Sequence, residues 1–213
     1  MQFQEAILDY GGQPITKQMV LSVLQDYKRP FDKISELVKQ GILTPVKSGI
    51  FVPGPKLLMA KPEPFLLANH LCGPSYVSME AALAYWGLIP ELVYEISSVT
   101  TRHNKTYATA AGRFSYTHLP LPYYVFGIQQ VALSKKQTAM IASPEKALCD
   151  KIITSAGIQL RSIKQSREFL IDDLRIDEQM LHNLNNSEIA TWIEAAPKKD
   201  SIAMLVKTLK TFR

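Results

Sequence analysis

The sequence predicts an α+β fold in two parts, a small helical unit at the N-terminus and a larger unit built on a sheet. Apolar residues at helical spacing occupy the first 40 positions, and β-branched and aromatic segments bounded by turn residues fill the middle. Helical patterns return from Ser143 onward. The 213 residues, 46% of them hydrophobic, suffice for one large or two small cores. This composition excludes a disordered tail, a coiled coil and a small disulfide-stapled scaffold.

The first 52 residues predict three helices followed by a hairpin. The helices and their signals are a first helix over 2–10 ended by Gly11 and Gly12, a second capped by Thr16, and a third opening at Pro30 and ended by Gly41. The expected core positions of the third helix are Phe31, Ile34, Leu37 and Val38. Short strands are expected over 42–46 and 50–52. This order is typical of a winged helix-turn-helix.

A proline-rich segment separates the two parts. Residues 53–64 contain four prolines, and such a segment sustains neither a helix nor a central strand. We therefore expect a winged helix-turn-helix domain over 1–52, a linker over 53–64 and an α+β domain over 65–213.

The larger domain is expected to hold a mostly antiparallel sheet with helices before and after it. A helix over 65–71 and a second one capped by Ser78 come first. The expected strands are 94–100, 105–108, 113–118, 124–133 and 137–142. Ser143 and Pro144 then open a helix that runs to about Thr154. The later expected helices are 169–174, 180–184, 189–193 and 202–209.

The net charge of +5 is concentrated in one segment. Residues 27–61 hold seven basic and two acidic residues, so the remainder of the chain sums to zero. With the apolar side of the third helix in the core, the residues expected to face DNA are Lys28, Arg29, Lys33, Ser35, Glu36, Lys39, Gln40, Lys47 and Ser48. Asp32 also faces outward and, like Glu36, repels phosphate. The alternative is therefore a protein-interaction module whose helices dock a partner instead of DNA.

A second basic cluster is expected at a hairpin of the larger domain. Its members are Arg102, His103, Lys105 and Arg113. Such a cluster is suited to phosphate, DNA or a protein partner, and it also fits an ordinary solvated turn.

The sequence favours a protein without catalytic activity, cofactor or metal. The four histidines are scattered, and no phosphate-binding glycine loop or nucleophile elbow is present. Lys146 and Asp150, with Glu145 nearby, are the one combination compatible with a metal-dependent nuclease. Their i, i+4 spacing places them on one helix face, where we expect an ordinary ion pair instead of a nuclease site. Cys72 and Cys149 are expected to be separate buried thiols.

No basic segment followed by an apolar run opens the sequence, and no run of about 18 apolar residues occurs in it. We therefore expect a cytoplasmic protein with no membrane contact.

Five stretches in order resemble the AbiEi-type antitoxins, the regulator half of type IV toxin–antitoxin systems that act in phage defence. They are YKRPFDKISELVKQGILTPVKSGIFVPG at 27–54, GPSYVSMEAALAYWGLIPE at 73–91, SSVTTRHNKTYATAAGRFSYTHLP at 97–120, FGI at 126–128 and SPEKALCDKI at 143–152. The resemblance implies an N-terminal domain that binds inverted repeats in its own promoter and represses transcription. By position, Lys28, Arg29, Lys33 and Lys47 inherit the DNA contacts. It also implies a C-terminal domain that counters a nucleotidyltransferase-type toxin without a stable complex.

Overall fold

A computed structural model describes residues 3–212 and shows a mixed α+β fold with two sheets. The elements of the first unit are α1 (Phe3–Ile7), β1 (Ile15–Thr16), α2 (Lys17–Val23), α3 (Pro30–Lys39), β2 (Leu43–Lys47) and β3 (Ile50–Pro53). The three strands form an antiparallel sheet in the order β1-β3-β2. The α+β class predicted from the sequence is confirmed, and β1 is an additional strand too short to leave a pattern.

Local signals set the helix ends of this unit. Thr16 caps α2 as predicted, because its hydroxyl accepts a hydrogen bond from the Met19 amide at 3.2 Å. Pro30 is the first residue of α3, also as predicted. The first predicted helix is shorter than expected, since α1 is followed by a 3₁₀ turn over Leu8–Tyr10. Gln2, at its predicted start, lies outside the described residues.

The first core contains α1, α2, α3 and the inner side of the small sheet. Its central buried residues are Ile7, Ile15, Val20, Leu24, Ile34, Leu37 and Leu43. The expectation that Phe31 joins this core is wrong, because 57% of its surface is exposed. Phe31 lies in the first turn of α3, where its ring packs beneath the ammonium of Lys17 at 4.5 Å instead.

The proline-rich segment is packed against the first unit along much of its length. Leu57 is buried in the first core, and the amide of Gly54 donates to the Ile42 carbonyl at 2.8 Å. A Cβ at Gly54 would collide with the backbone of Gly41, so only glycine fits where the two chain segments meet. The segment is therefore an ordered connection with its own contacts.

The second unit contains the larger sheet. Its elements up to the sheet's last strand are α4 (Pro64–Leu71), β4 (Ser75–Val77), α5 (Met79–Tyr85), β5 (Glu95–Thr100), β6 (Lys105–Thr109), β7 (Gly112–His118), β8 (Ile128–Ser134) and β9 (Gln137–Ala142). The helices that follow are α6 (Pro144–Thr154), α7 (Ile163–Glu168), α8 (Glu178–His182), α9 (Asn186–Trp192) and α10 (Lys199–Leu209). A π-helical turn over Phe169–Asp173 extends α7.

The strand order is β6-β7-β5-β4-β9-β8. Three of the five neighbouring pairs are antiparallel, whereas β5–β7 and β4–β9 are parallel. The sheet is thus more mixed than the mostly antiparallel one predicted. The strand expected over 124–133 begins only at Ile128, because Tyr123–Val125 form a 3₁₀ turn. β4 has three residues and lies in the middle of the sheet, where the sequence predicted no strand.

A buried polar cluster joins α6 to the sheet. The Nζ of Lys146 lies 2.9 Å from Oδ1 of Asp150, and both side chains are completely buried. Asp150 also accepts hydrogen bonds from the hydroxyls of Tyr76 at 2.9 Å and Ser78 at 2.7 Å. The Lys146 ammonium further donates to the Tyr123 carbonyl at 3.1 Å. The predicted ion pair is therefore confirmed, in the core and out of reach of any substrate.

This cluster explains two further details. Ser78 was expected to cap α5 with its side chain, but that hydroxyl is committed to Asp150 and makes no cap hydrogen bond. Burial lowers the pKa of Lys146, and the Asp150 carboxylate opposes that shift.

Two local predictions for this unit are confirmed. Ser143 caps α6 as predicted, through the Lys146 amide. Cys72 and Cys149 are free and buried, as predicted.

Lys198 binds the C-terminal end of α6. Its ammonium donates to three backbone carbonyls, those of Ile152 at 2.9 Å, Ser155 at 2.7 Å and Ile158 at 2.9 Å. These carbonyls lie at and just beyond the helix end, where a positive charge is also favoured by the helix dipole. Lys198 thereby attaches the start of α10 to α6.

We expect Lys198→Met to lower the free energy of unfolding by about 2 kcal/mol, because three carbonyls lose a charged donor. Chemical denaturation measures the change. Lys199→Met is the matched control, since Lys199 lies next in sequence with its side chain 58% exposed and only a 3.8 Å contact to Glu194. Equal stability of the two variants would show that Lys198 contributes nothing through these bonds.

Four buried tyrosines should make the folded chain less stable at alkaline pH. Desolvation raises the pKa of Tyr124 to about 12 and holds the pKa values of Tyr76, Tyr116 and Tyr123 above the ordinary 10. The folded chain thus keeps phenol protons that the unfolded chain releases, so stability is complete below pH 10 and is lost above it. The slope approaches about 1.4 kcal/mol per pH unit for each tyrosine.

Ultraviolet titration of tyrosinate tests this expectation. Of the nine tyrosines, Tyr76, Tyr116 and Tyr123 should ionise only when the near-ultraviolet circular dichroism of the fold disappears, and Tyr124 should ionise only near pH 12. Ionisation of all nine near pH 10 in a chain that remains folded would contradict it.

Candidate nucleic-acid interface

The exposed side of α3 carries the basic residues predicted to contact DNA. Lys28, Arg29 and Lys39 are exposed, the first two immediately before the helix and the third in its last turn. Lys28 and Lys39 have no partner within residues 3–212. Arg29 has one loose ion pair, 3.6 Å from Asp32, with both side chains largely exposed. Three cations are therefore available for phosphate, two just before α3 and one in its last turn.

In the middle of this helix, the charged side chains are paired with each other. Lys33 donates to Glu36 at 2.9 Å, and Gln40 donates to the other Glu36 oxygen at 2.7 Å. The hydrogen bond from Lys33 lowers the pKa of Glu36, which keeps the carboxylate charged. Because Lys33 and Glu36 neutralise each other, Lys33 offers phosphate less than its formal charge suggests.

Ser35 and Ser48 lie where they were expected, on exposed positions of α3 and of the β2–β3 turn. The Ser35 hydroxyl donates to the Phe31 carbonyl at 3.2 Å, so it retains its acceptor lone pairs for a ligand.

Lys47 differs from the expectation for a hairpin tip. It points to the larger unit, where its ammonium donates to the Leu71 carbonyl at 2.7 Å and lies 5.4 Å from the centre of the Tyr107 ring. The sequence places Lys47 beside the turn, but the contact spans 24 positions in sequence and depends on how the two units meet. Lys47 therefore acts first as a contact between the units.

Further contacts hold the two units together at the β8–β9 turn. Gln13 donates to the Lys136 carbonyl at 2.6 Å. The Gln137 side chain accepts from the Glu63 amide at 2.6 Å, at the end of the proline-rich segment. With Lys47 at one side and Gln137 at the other, α3 has a defined orientation relative to the larger sheet.

Lys17 is a candidate contact that the sequence reasoning missed. It is exposed at the first position of α2, and its amide donates to the Gly49 carbonyl of the β2–β3 turn at 2.8 Å. Its ammonium lies over Phe31 of α3. Lys17 therefore lies between the β2–β3 turn and α3. Its position in sequence, ten residues before the basic segment, gave no signal of this.

The second basic cluster is only partly brought together. Arg102 and His103 are exposed between β5 and β6, and Lys105 is exposed at the start of β6. The Lys105 ammonium lies 5.1 Å from the centre of the Tyr107 ring, the same ring that Lys47 approaches. Arg113, at the far end of the β6–β7 hairpin, instead pairs with Glu95 at 3.3 Å.

Within residues 3–212 no three His, Cys, Asp or Glu side chains are arranged to hold a metal ion. No helix in that range is long and apolar enough to cross a bilayer. Comparison of the chain with known proteins matches it to no family model and to no curated protein.

Proposed function

We propose that the protein is a sequence-specific DNA-binding repressor whose N-terminal unit is a winged helix-turn-helix. The observation that carries the proposal is the set of three exposed cations at α3, with Lys28 and Arg29 immediately before the helix and Lys39 in its last turn. Lys39 lies on the side of α3 opposite the buried Ile34 and Leu37. In a helix-turn-helix the second of two adjacent helices enters the major groove, and the chain before it meets the phosphates. α2 and α3 supply that helix pair, and the β2–β3 hairpin supplies the wing.

In this proposal, Lys28, Arg29 and Lys39 give affinity through phosphates, with Lys17 beside them. Ser35, Gln40 and Glu36 are the base-reading candidates, since amide and hydroxyl groups bond base edges and a carboxylate accepts from cytosine. The protein has no catalytic role in this account.

The resemblance to AbiEi-type antitoxins extends the proposal. By that resemblance the protein represses its own promoter at inverted repeats, and its larger unit counters a nucleotidyltransferase-type toxin without a stable complex. The protein then acts in the cytoplasm, on double-stranded DNA.

A binding titration with the DNA upstream of the protein's own gene tests the proposal. The wild-type chain should bind that duplex at least about a thousandfold more tightly than a shuffled duplex of equal length and composition, the lower end of the range for specific binders. Equal affinity for both duplexes would refute a sequence-specific repressor.

One observation favours the protein-interaction alternative. Phe31 exposes a large apolar ring beside the neutralised Lys33–Glu36 pair, and such a mixture is common in protein interfaces. Under that alternative the titration finds no binding to either duplex at physiological salt, and Phe31→Ala removes partner binding.

A further inference from the structure

A cavity of about 510 Å³ lies on the larger unit, distant in sequence from the basic segment. Its floor is the parallel pair β5–β7, in which Ser97 is opposite Ser115 and Val99 is opposite Thr117. This register puts Ser97, Ser115 and Thr117 on one face of the sheet. Glu80 of α5 and Lys151 of α6 form the wall, and Leu92 and Tyr94 form the rim.

The cavity is lined by residues whose hydroxyl groups make no hydrogen bond within the described part of the chain. Ser115, Thr117 and Ser155 line it, and none of their side-chain hydroxyls has a hydrogen-bond partner within residues 3–212. Ser97, by contrast, donates to the Ser78 carbonyl at 2.7 Å and accepts from the Ala81 amide at 3.2 Å. Three residues whose hydroxyls are free to donate and accept thus line the same cavity.

The charges of the cavity oppose an anionic ligand. Lys151 is the one cation among its lining residues, and its ammonium is hydrogen-bonded to the Glu80 carboxylate. Glu95 adds a second carboxylate at the rim, itself paired with Arg113 at 3.3 Å. A phosphate would meet two carboxylates and an ammonium already engaged, whereas a neutral polar ligand avoids that repulsion.

The rim supplies an apolar surface. Tyr94 is 84% exposed and Leu92 is 76% exposed, although both side chains are large and hydrophobic. Met79, which also lines the cavity, has a φ of 53°, a conformation that L-residues adopt at a cost and that is concentrated at ligand sites.

We propose that this cavity binds a neutral ring-shaped ligand with adjacent hydroxyl groups, a monosaccharide or the ribose of a nucleoside. One hydroxyl donates to Glu80 while its neighbour accepts from Lys151, which is how a carboxylate and an ammonium side by side bind a vicinal diol. Ser115 and Thr117 bond the remaining oxygens, and the apolar ring face packs on Tyr94 and Leu92. The site belongs to the larger unit and does not depend on DNA binding.

Calorimetric titration of the full chain tests the proposal with four probes: adenosine, glucose, 2′-deoxyadenosine and inorganic phosphate. Adenosine or glucose should bind, and which of them binds more tightly identifies the source of the diol. 2′-Deoxyadenosine, which lacks the diol, should bind at least about tenfold more weakly than adenosine if the nucleoside is the ligand. Failure of both adenosine and glucose, or equal binding of 2′-deoxyadenosine or phosphate, would overturn the proposal.

Two variants connect the binding to the cavity. Ser115→Ala with Thr117→Val removes both free hydroxyls of β7, and we expect about a tenfold rise in Kd. Thr138→Val, at an exposed strand position of β9 outside the cavity, is the control and should bind like the wild type. A folded double variant with unchanged Kd would refute the site. If the double variant unfolds, amide chemical shifts of wild-type Ser115 and Thr117 decide instead, since they should change when the probe is added and would stay constant if it binds elsewhere.

Discussion

Lys146→Met should lower the free energy of unfolding by about 3–5 kcal/mol, the range found when one partner of a buried ion pair is removed. The substitution leaves the Asp150 carboxylate in the core, where its side chain is completely buried. The hydroxyls of Tyr76 and Ser78 remain, but they cannot neutralise a full charge. The Tyr123 carbonyl also loses its donor. Because a domain is stabilised by only about 5–15 kcal/mol, the variant should melt well below the wild type.

Two comparisons make this result specific. Lys151→Met changes the same residue type on the same helix, but the Lys151–Glu80 pair is partly exposed and should contribute about 1 kcal/mol or less. Adding Asp150→Asn to Lys146→Met removes the stranded charge while keeping an acceptor for Tyr76 and Ser78. The double variant should therefore recover part of the stability. If Lys146→Met costs no more than Lys151→Met in urea denaturation, the cluster is not a stabilising element.

The combined change Lys28→Ala, Arg29→Ala and Lys39→Ala should weaken binding to the upstream duplex by about a hundredfold, at roughly 1 kcal/mol for each phosphate interaction removed. Each cation removed also reduces counterion release by about one, so the slope of log K against log salt should become shallower by about 3. These cations are the best choice because two have no partner within residues 3–212 and the third is only loosely paired. Lys33 is a weaker choice, since Glu36 already binds it.

The matched control removes the same number of charges from the C-terminal helices. Lys164, Lys207 and Lys210 are exposed, and Lys164 contacts Glu168 only at 3.9 Å. Their triple alanine variant should bind the duplex within about twofold of the wild type and keep its salt slope. If both triple variants lose affinity equally, binding follows net charge and not the surface of α3.

Local chemistry explains which parts of this fold were predictable. Thr16, Pro30 and the Ser143–Pro144 pair act on the next few residues, so the starts of α2, α3 and α6 follow from sequence alone. The i, i+4 spacing likewise gave the Lys146–Asp150 pair, but its complete burial depends on packing against the sheet. β4 escaped prediction because three residues are too few to show a pattern.

Long-range contacts explain what the sequence could not reveal about the candidate site. The basic residues of α3 were identified because they share one short segment with a clear apolar side. Lys47 was expected at the DNA, yet its partners Leu71 and Tyr107 come from the larger unit. Phe31 fits the apolar spacing of α3, but the ring lies in the first turn and is covered by Lys17 instead of the core. The cavity above β5 and β7 depends on a parallel pairing that no sequence pattern specified.

Hydrogen–deuterium exchange with and without the upstream duplex tests most directly whether α3 meets DNA. We expect slower exchange of backbone amides over residues 28–40 and at the β2–β3 turn when the duplex is bound. The C-terminal helices α8 and α9 should exchange equally in both states. Protection confined to the larger unit, with residues 28–40 unchanged in a chain that binds the duplex, would contradict the assignment of α3 as the recognition helix.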